Sequence, residues 1–172
     1  SPLGTTTAVS TLGENLLLTS WLDNSVKLLN PNTGAVMQSM EGLDVPVSAT
    51  VFNGFYAVVL HGSSSLVLLN MDGSFHKTLS DDFAAPTHVV AYENGLLVSD
   101  YTRGELIKVT ASGETTVVVD GLTAPEGLAL RGETIFVFEG STGNIKTYRD
   151  GQIETIATLS AGSPAATPLQ PP

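Results

Sequence analysis

The sequence contains no cysteine. That excludes disulfides, thiolate nucleophiles and zinc sites built on sulfur, and it leaves the redox compartment undetermined. Basic residues are scarce: seven Lys and Arg stand against seventeen Asp and Glu, for a formal net charge of −10. So few scattered cations disfavour phosphate backbones and anionic membrane surfaces, so neither nucleic acid nor a membrane is expected as a partner. The acidity itself reads as a solvated surface that keeps a sheet-rich protein soluble. No apolar run approaches the ~18 residues of a membrane-spanning helix; the longest, such as 55–60, are strand-sized. Helical periodicity is missing throughout. No basic leader with an apolar core precedes Thr5, and Ser1-Pro2 does not fix the compartment; a secreted or processed mature chain is the expectation carried forward. Also absent are the Gly-x-Ser-x-Gly elbow, the phosphate loop, His-Glu-x-x-His and the EF-hand loop, which removes the usual serine hydrolase and nucleotide signatures.

What is present is a recurring proline. Pro46, Pro86, Pro125 and Pro164 follow one another at intervals of 40, 39 and 39 residues. A period near 40 with strand-like content is the signature of propeller blades. Within the third repeat, short apolar runs at 87–91, 96–99, 105–110 and 115–119 are separated by Glu93-Asn94-Gly95, Thr102-Arg103-Gly104 and Ala111-Ser112-Gly113. These are four strands joined by hairpin-length turns. The other repeats follow the same order, the first beginning with a strand at 6–9. The predicted fold is an all-β propeller of four-stranded antiparallel blades, four in this chain, over 5–43, 44–83, 84–122 and 123–162. Residues 163–172 read as a Pro-rich flexible tail.

Two of the repeats, APTHVVAYENGLLVSDYTRGELIKVTASG and APEGLALRGETIFVFEGSTGNIKTYRDG, resemble blades of the SMP-30/gluconolactonase and NHL-repeat propellers. The resemblance implies a six-bladed ring, of which four blades would be only part. A blade cannot cover both sheet faces without neighbours. Three outcomes follow: a second polypeptide supplies further blades, two copies form a homodimer with an eight-bladed ring, or four blades close on themselves.

Antiparallel connectivity places the linker into each first strand beside the loop after each second strand, at the usual binding mouth of a propeller. The residues there are Val47 and Ser48, Thr87 and His88, Glu126 and Gly127, with Thr6-Thr7 as the first-blade equivalent. The second strands end at Ser20-Trp21, Leu60-His61, Asp100-Tyr101 and Glu139-Gly140. His88 and Glu139 join Glu126 as acid/base candidates, against the plainer reading of His88 as a hydrogen-bonded core residue. Beside Phe138 and Gly140, Glu139 is expected in a dry setting that raises its pKa. Trp21, Tyr101, His61, Asp100 and Ser48 are candidate ligand contacts, with Trp21 and Tyr101 offering a stacking platform, while Asp100 reads first as a cap on its own turn. His76 reads as surface. The resemblance further implies that the residue after the proline, here Glu126, binds a divalent cation such as calcium through oxygen. Val47 and Thr87 supply no matching carboxylate, so that site is incomplete in this chain. The expected activity is that of a propeller enzyme acting on a small molecule, lactone or ester hydrolysis first, a metal-free lyase or natural-product cyclase second. A noncatalytic glycan- or protein-binding propeller is the rival.

Overall fold

A computed structural model describes residues 6–159. Pro164, the Pro-rich tail and Ser1-Pro2 lie outside the described residues. Every described element is a strand, and each successive group of four forms its own antiparallel meander. Blade 1 holds β1 (Ala8–Leu12), β2 (Asn15–Ser20), β3 (Ser25–Leu29) and β4 (Val36–Met40). Blade 2 holds β5 (Pro46–Phe52), β6 (Phe55–Leu60), β7 (Ser65–Leu69) and β8 (Phe75–Ser80). Blade 3 comprises β9 (Pro86–Tyr92), β10 (Gly95–Asp100), β11 (Glu105–Val109) and β12 (Thr115–Val119). Blade 4 comprises β13 (Pro125–Arg131), β14 (Thr134–Glu139), β15 (Asn144–Arg149) and β16 (Gln152–Thr158). The blades stand about one axis as a four-blade propeller, with β1, β5, β9 and β13 innermost and packed in that order.

Turn chemistry sets the meanders. Asn53 and Gly54 (φ 50° and 79°) join β5 to β6, and Asp150 with Gly151 (φ 50° and 77°) joins β15 to β16. Two consecutive positive φ values give the primed turn whose twist matches the strands it connects, and Asn-Gly and Asp-Gly adopt it at least cost. The first strand departs from the sequence expectation. Strand pairing begins at Ala8 against Thr19 and continues to Leu12 against Asn15, later than 6–9. The other three innermost strands start at a proline; the first has none to mark its start.

Alternation along the strands gives each blade two apolar faces, one toward the preceding blade and one toward the following blade. Three clusters fill three junctions. Leu17, Val26 and Met40 of blade 1 meet Ala49, Tyr56, Val58 and Val67 of blade 2. Ala57, Val59, Leu66 and Leu68 meet Val89, Leu96, Val98 and Ile107 between blades 2 and 3. Leu97, Leu106 and Val119 meet Leu128, Ile135 and Val137 between blades 3 and 4. Among the described residues no fourth cluster joins blade 4 to blade 1.

The repeat makes the consequence measurable. Register equates Val9 with Ala49, Val89 and Leu128 on the preceding-blade face. The last three are at most 8% exposed, while Val9 is 58% exposed. On the opposite face of blade 4, Phe136, Phe138 and Ile145 are half-buried. Their counterparts Leu17, Ala57 and Leu97, then Thr19, Val59 and Ser99, then Val26, Leu66 and Leu106, are all buried.

Candidate functional site

Each proline-led innermost strand carries a bulge at the same place. Pro46 pairs with Leu60 and Ser48 with Val59, so Val47 is left out of the ladder. Thr87 is skipped between Pro86 and His88, and Glu126 between Pro125 and Gly127. A bulge leaves one residue unpaired and re-aims its side chain, and bulges are frequent next to active sites. Here they turn Val47, Thr87 and Glu126 toward the axis. The same register makes Thr7, with Ala8 beside it, the first-blade equivalent, one residue later than the Thr6-Thr7 reading.

Hydroxyls fix these bulges across the blade junctions. Thr19 Oγ1 donates to the Val47 carbonyl (3.1 Å), and Ser99 Oγ donates to the Glu126 carbonyl (3.2 Å) from the same repeat position. Thr87 Oγ1 donates to the Pro125 carbonyl at 2.9 Å. The main chain at Glu126 is thus held from blade 3 on both sides of the peptide.

Together the strand starts enclose a cavity of about 410 Å³. Blade 1 contributes Thr7, Ala8 and Val9, blade 2 Val47, blade 3 Thr87 and His88, and blade 4 Glu126, Gly127 and Phe138. That volume lies within the range of small-molecule pockets. The walls are mostly apolar or hydroxylated. Two titratable groups, Glu126 and His88, face the space, and neither side chain hydrogen-bonds any described residue. Burial pushes the His88 imidazole below its usual value, so the neutral ring is the prevailing form at neutral pH.

Gly140 explains how Glu126 is accommodated. The amide after each second strand donates to the linker carbonyl in three blades: His61 to Val45 (3.0 Å), Tyr101 to Ala85 (2.9 Å) and Gly140 to Ala124 (3.1 Å). The column therefore reads Trp21, His61, Tyr101, Gly140. Only in blade 4 does it hold glycine, and a Cβ there would collide with the Glu126 carboxylate. Gly140 is not at positive φ, so space for Glu126 is the demand its backbone reveals.

The structure separates the other sequence candidates from this cavity. Asp100 is fully buried and accepts from the Ala84, Ala85 and Arg103 amides at 2.7, 3.1 and 3.0 Å, with Arg103 Nε at 3.8 Å. Glu139, also fully buried, accepts from the Thr123 amide (2.6 Å), Thr142 Oγ1 (3.0 Å), Asn144 Nδ2 (3.2 Å) and Lys146 Nζ (2.8 Å). Burial pushes its carboxyl upward, but Lys146 and the other donors outweigh burial and hold it below the usual glutamate value, opposite to the sequence expectation. The donors were invisible in the sequence because they come from a linker, the following turn and a neighbouring strand. Buried Ser48 accepts the Val89 amide through Oγ at 3.2 Å. His61 is exposed, with Nδ1 3.1 Å from the Pro86 carbonyl. Trp21 and Tyr101 are 49% and 40% exposed on the rim. His76 stacks on Phe55 on the outer surface, with ring centroids 4.5 Å apart.

Sequence reasoning missed Phe138 as a cavity wall and Gly140 as the seat of Glu126. Aligning the column Trp21, His61, Tyr101, Gly140 carries the second signal. For a hard divalent cation the fit is poor: such ions take six to eight oxygen ligands, and the cavity offers one carboxylate, one imidazole and two threonine hydroxyls. No group of three or more potential acidic or histidine ligands occurs among the described residues.

No protein-family model and no curated protein sequence matches the chain. Solved structures do. A streptogramin B lyase structure aligns at TM-score 0.69 and 15% identity, over 90% of this chain and 54% of that one. A catalytically inactive virginiamycin B lyase from Staphylococcus aureus with quinupristin aligns at TM-score 0.72 and 13% identity, over 91% and 56%. Hydrazine synthase from Kuenenia stuttgartiensis aligns at TM-score 0.73 and 13% identity, over 91% and 50%. At these identities the likeness is one of fold. The chain spans about half the length of each of these propeller proteins.

Proposed function

We propose that this propeller is an enzyme acting on a small organic molecule in the central cavity, with His88 and Glu126 handling the proton. The observation that carries the reading is the convergence of two titratable side chains, neither hydrogen-bonded to any described residue, on one mostly apolar cavity. A neutral imidazole is competent to take a proton near neutral pH. In an elimination, His88 removes a proton from carbon beside an electron-withdrawing group. A double bond forms as the bond to the leaving group breaks, and the imidazolium returns the proton to the departing atom. Glu126, facing the same space, is the second group in position to relay that proton. The substrate is divided into two products, or a ring is opened, with no water consumed.

Elimination stands ahead of lactone or ester hydrolysis here for two reasons. The lactonase-type chemistry implied by the sequence resemblance relies on a cation for which the cavity supplies too few oxygen ligands. Among propellers of like fold, streptogramin B and virginiamycin B lyases carry lyase in their names. The exposed Trp21 and Tyr101 favour a second reading, a rim that binds a glycan or protein without turnover.

The test is incubation of the protein with quinupristin and with gluconolactone, followed by mass spectrometry. Elimination leaves the summed mass unchanged, whereas hydrolysis adds one water. The expected result is turnover that both Glu126→Gln and His88→Gln reduce at least tenfold, with circular dichroism unchanged and an acidic limb of the rate profile below pH ~6.5. Turnover insensitive to both substitutions, or ligand binding that maps to Trp21 and Tyr101 without turnover, overturns the proposal.

A further inference from the structure

We propose that the groove between blades 1 and 2, beside the linker 41–45, binds a small organic amine, an arylalkylammonium ion whose ring lies on an apolar floor and whose charge meets two carboxylates. The groove shares no lining residue with the central cavity.

The repeat shows why there is space at this junction. In the next blade the corresponding linker is clasped. Asp100 accepts the Ala84 and Ala85 amides, Phe83 is buried, and Arg103 and Thr115 both donate to Asp82. Counting from Pro46 and Pro86 and following the strand register, Leu60 stands where Asp100 does and Leu43 where Phe83 does. Gly42 replaces Asp82, Ser63 replaces Arg103 and Phe75 replaces Thr115. Every polar member of the clasp has given way to a group that cannot make it. In blade 4 a carboxylate again holds the linker, Glu139 accepting the Thr123 amide. Of the three linkers that lead into a proline-started strand, only 41–45 has an apolar side chain, Leu60, at the pinning position.

What these changes leave is a groove of about 310 Å³, within the range of small-molecule pockets. Leu60, Val67 and Leu69 line its floor, and Phe75, 63% exposed, its outer wall. Glu41 and Asp44 line the linker side, and no Lys, Arg or His is among the lining residues. Asp44 is accommodated as Glu126 is: a Cβ on Gly62 would collide with its carboxylate, and Gly62 is not at positive φ. Unlike the Asp100 carboxylate, that of Asp44 accepts no hydrogen bond from any described residue. Glu41 accepts only the Ser39 hydroxyl, at 3.2 Å.

Charge complementarity selects the occupant. Two carboxylates beside an apolar floor repel an anion and give a neutral molecule no matching charge. An ammonium ion answers both, and its ring on Leu60 and Leu69 beside Phe75 takes apolar surface out of water.

The test titrates the ¹⁵N-labelled protein with 2-phenylethylammonium and follows amide shifts by NMR, with 3-phenylpropionate and 2-phenylethanol as anionic and neutral controls of similar size. The ammonium ion is expected to shift the amides of 41–44 and 67–69 and to bind at least tenfold tighter than the propionate, a preference that shrinks at about 1 M salt. Leu43→Phe restores the side chain that fills this space in the next repeat and is expected to weaken binding at least tenfold. Asp44→Asn changes an exposed side chain, leaves the fold intact and is expected to weaken binding at least threefold, so it carries the test should Leu43→Phe disturb the spectrum as a whole. Shifts centred on Glu126 and His88, equal binding of the three compounds, no binding up to about 10 mM, or affinity unchanged by Asp44→Asn overturns the proposal. None of these readouts depends on turnover, so the result stands apart from the reading of the central cavity.

Discussion

At the scale of single residues, three acids that occupy related positions do unrelated work. Asp100 and Glu139 end second strands and spend their oxygens on linker amides and neighbouring donors. Glu126 sits on a bulge and spends none on any described residue. The difference predicts how each responds to substitution. Glu139→Ala removes four accepted hydrogen bonds and leaves Lys146 and the Thr123 amide without their partner; the expected loss is about 3 kcal/mol in denaturant unfolding. Because the folded protein holds the Glu139 carboxyl below its usual value, this stabilisation is present above the ordinary glutamate range and is lost as pH falls through the lowered value. Acid unfolding curves should therefore converge for wild type and variant at low pH. Gly140→Ala is the opposite case. Its new methyl group meets only the end of a flexible side chain, so stability should change by no more than about 0.5 kcal/mol. The Glu126 carboxylate must move aside, and turnover should fall with the fold intact. Melting curves beside rates separate the two effects.

At the scale of elements, the unit is the bulged innermost strand with the second strand paired to it. Its core positions are buried in the junction clusters, Val89 at 2% and Leu128 at 8% exposure. Val89→Ala or Leu128→Ala is expected to cost about 2 to 4 kcal/mol in thermal or chemical melts, since each leaves a void between two blades. Much of this level was legible in the sequence. Four short apolar runs and polar-glycine turns per repeat require antiparallel meanders, and a 40-residue period requires blades. The proline period also drew attention to Glu126. What escaped was register. No composition rule distinguishes Thr6 from Thr7 as the first-blade equivalent, because pairing with Thr19 decides it across a hairpin. Likewise Glu139 looked like a dry, isolated acid because Thr123, Asn144 and Lys146 converge on it only after the meander folds. The site was legible where it depends on position within the repeat, and hidden where it depends on partners brought in from other strands.

At the scale of the whole molecule, three filled junctions and two open faces describe a fold whose stability is distributed along the chain in steps. Among the described residues blades 2 and 3 are packed on both sides and blades 1 and 4 on one. Hydrogen exchange of the single chain is expected to show this gradient, with β6 and β10 amides protected longest and β16, whose side chains are almost all exposed, opening first. Equal protection in all four blades would contradict the gradient. The bulges have a further bearing on how such a molecule can change over generations. Val47, Thr87 and Glu126 stand outside the hydrogen-bonded ladder, and Val47 contributes no side-chain hydrogen bond, so its identity is uncoupled from the pairing that builds the blade. A scaffold of this kind can have its inner chemistry rewritten at such a position, carboxylate for valine, while the sheets that carry it stay the same, whereas Thr87 is tied to the next blade through its hydroxyl.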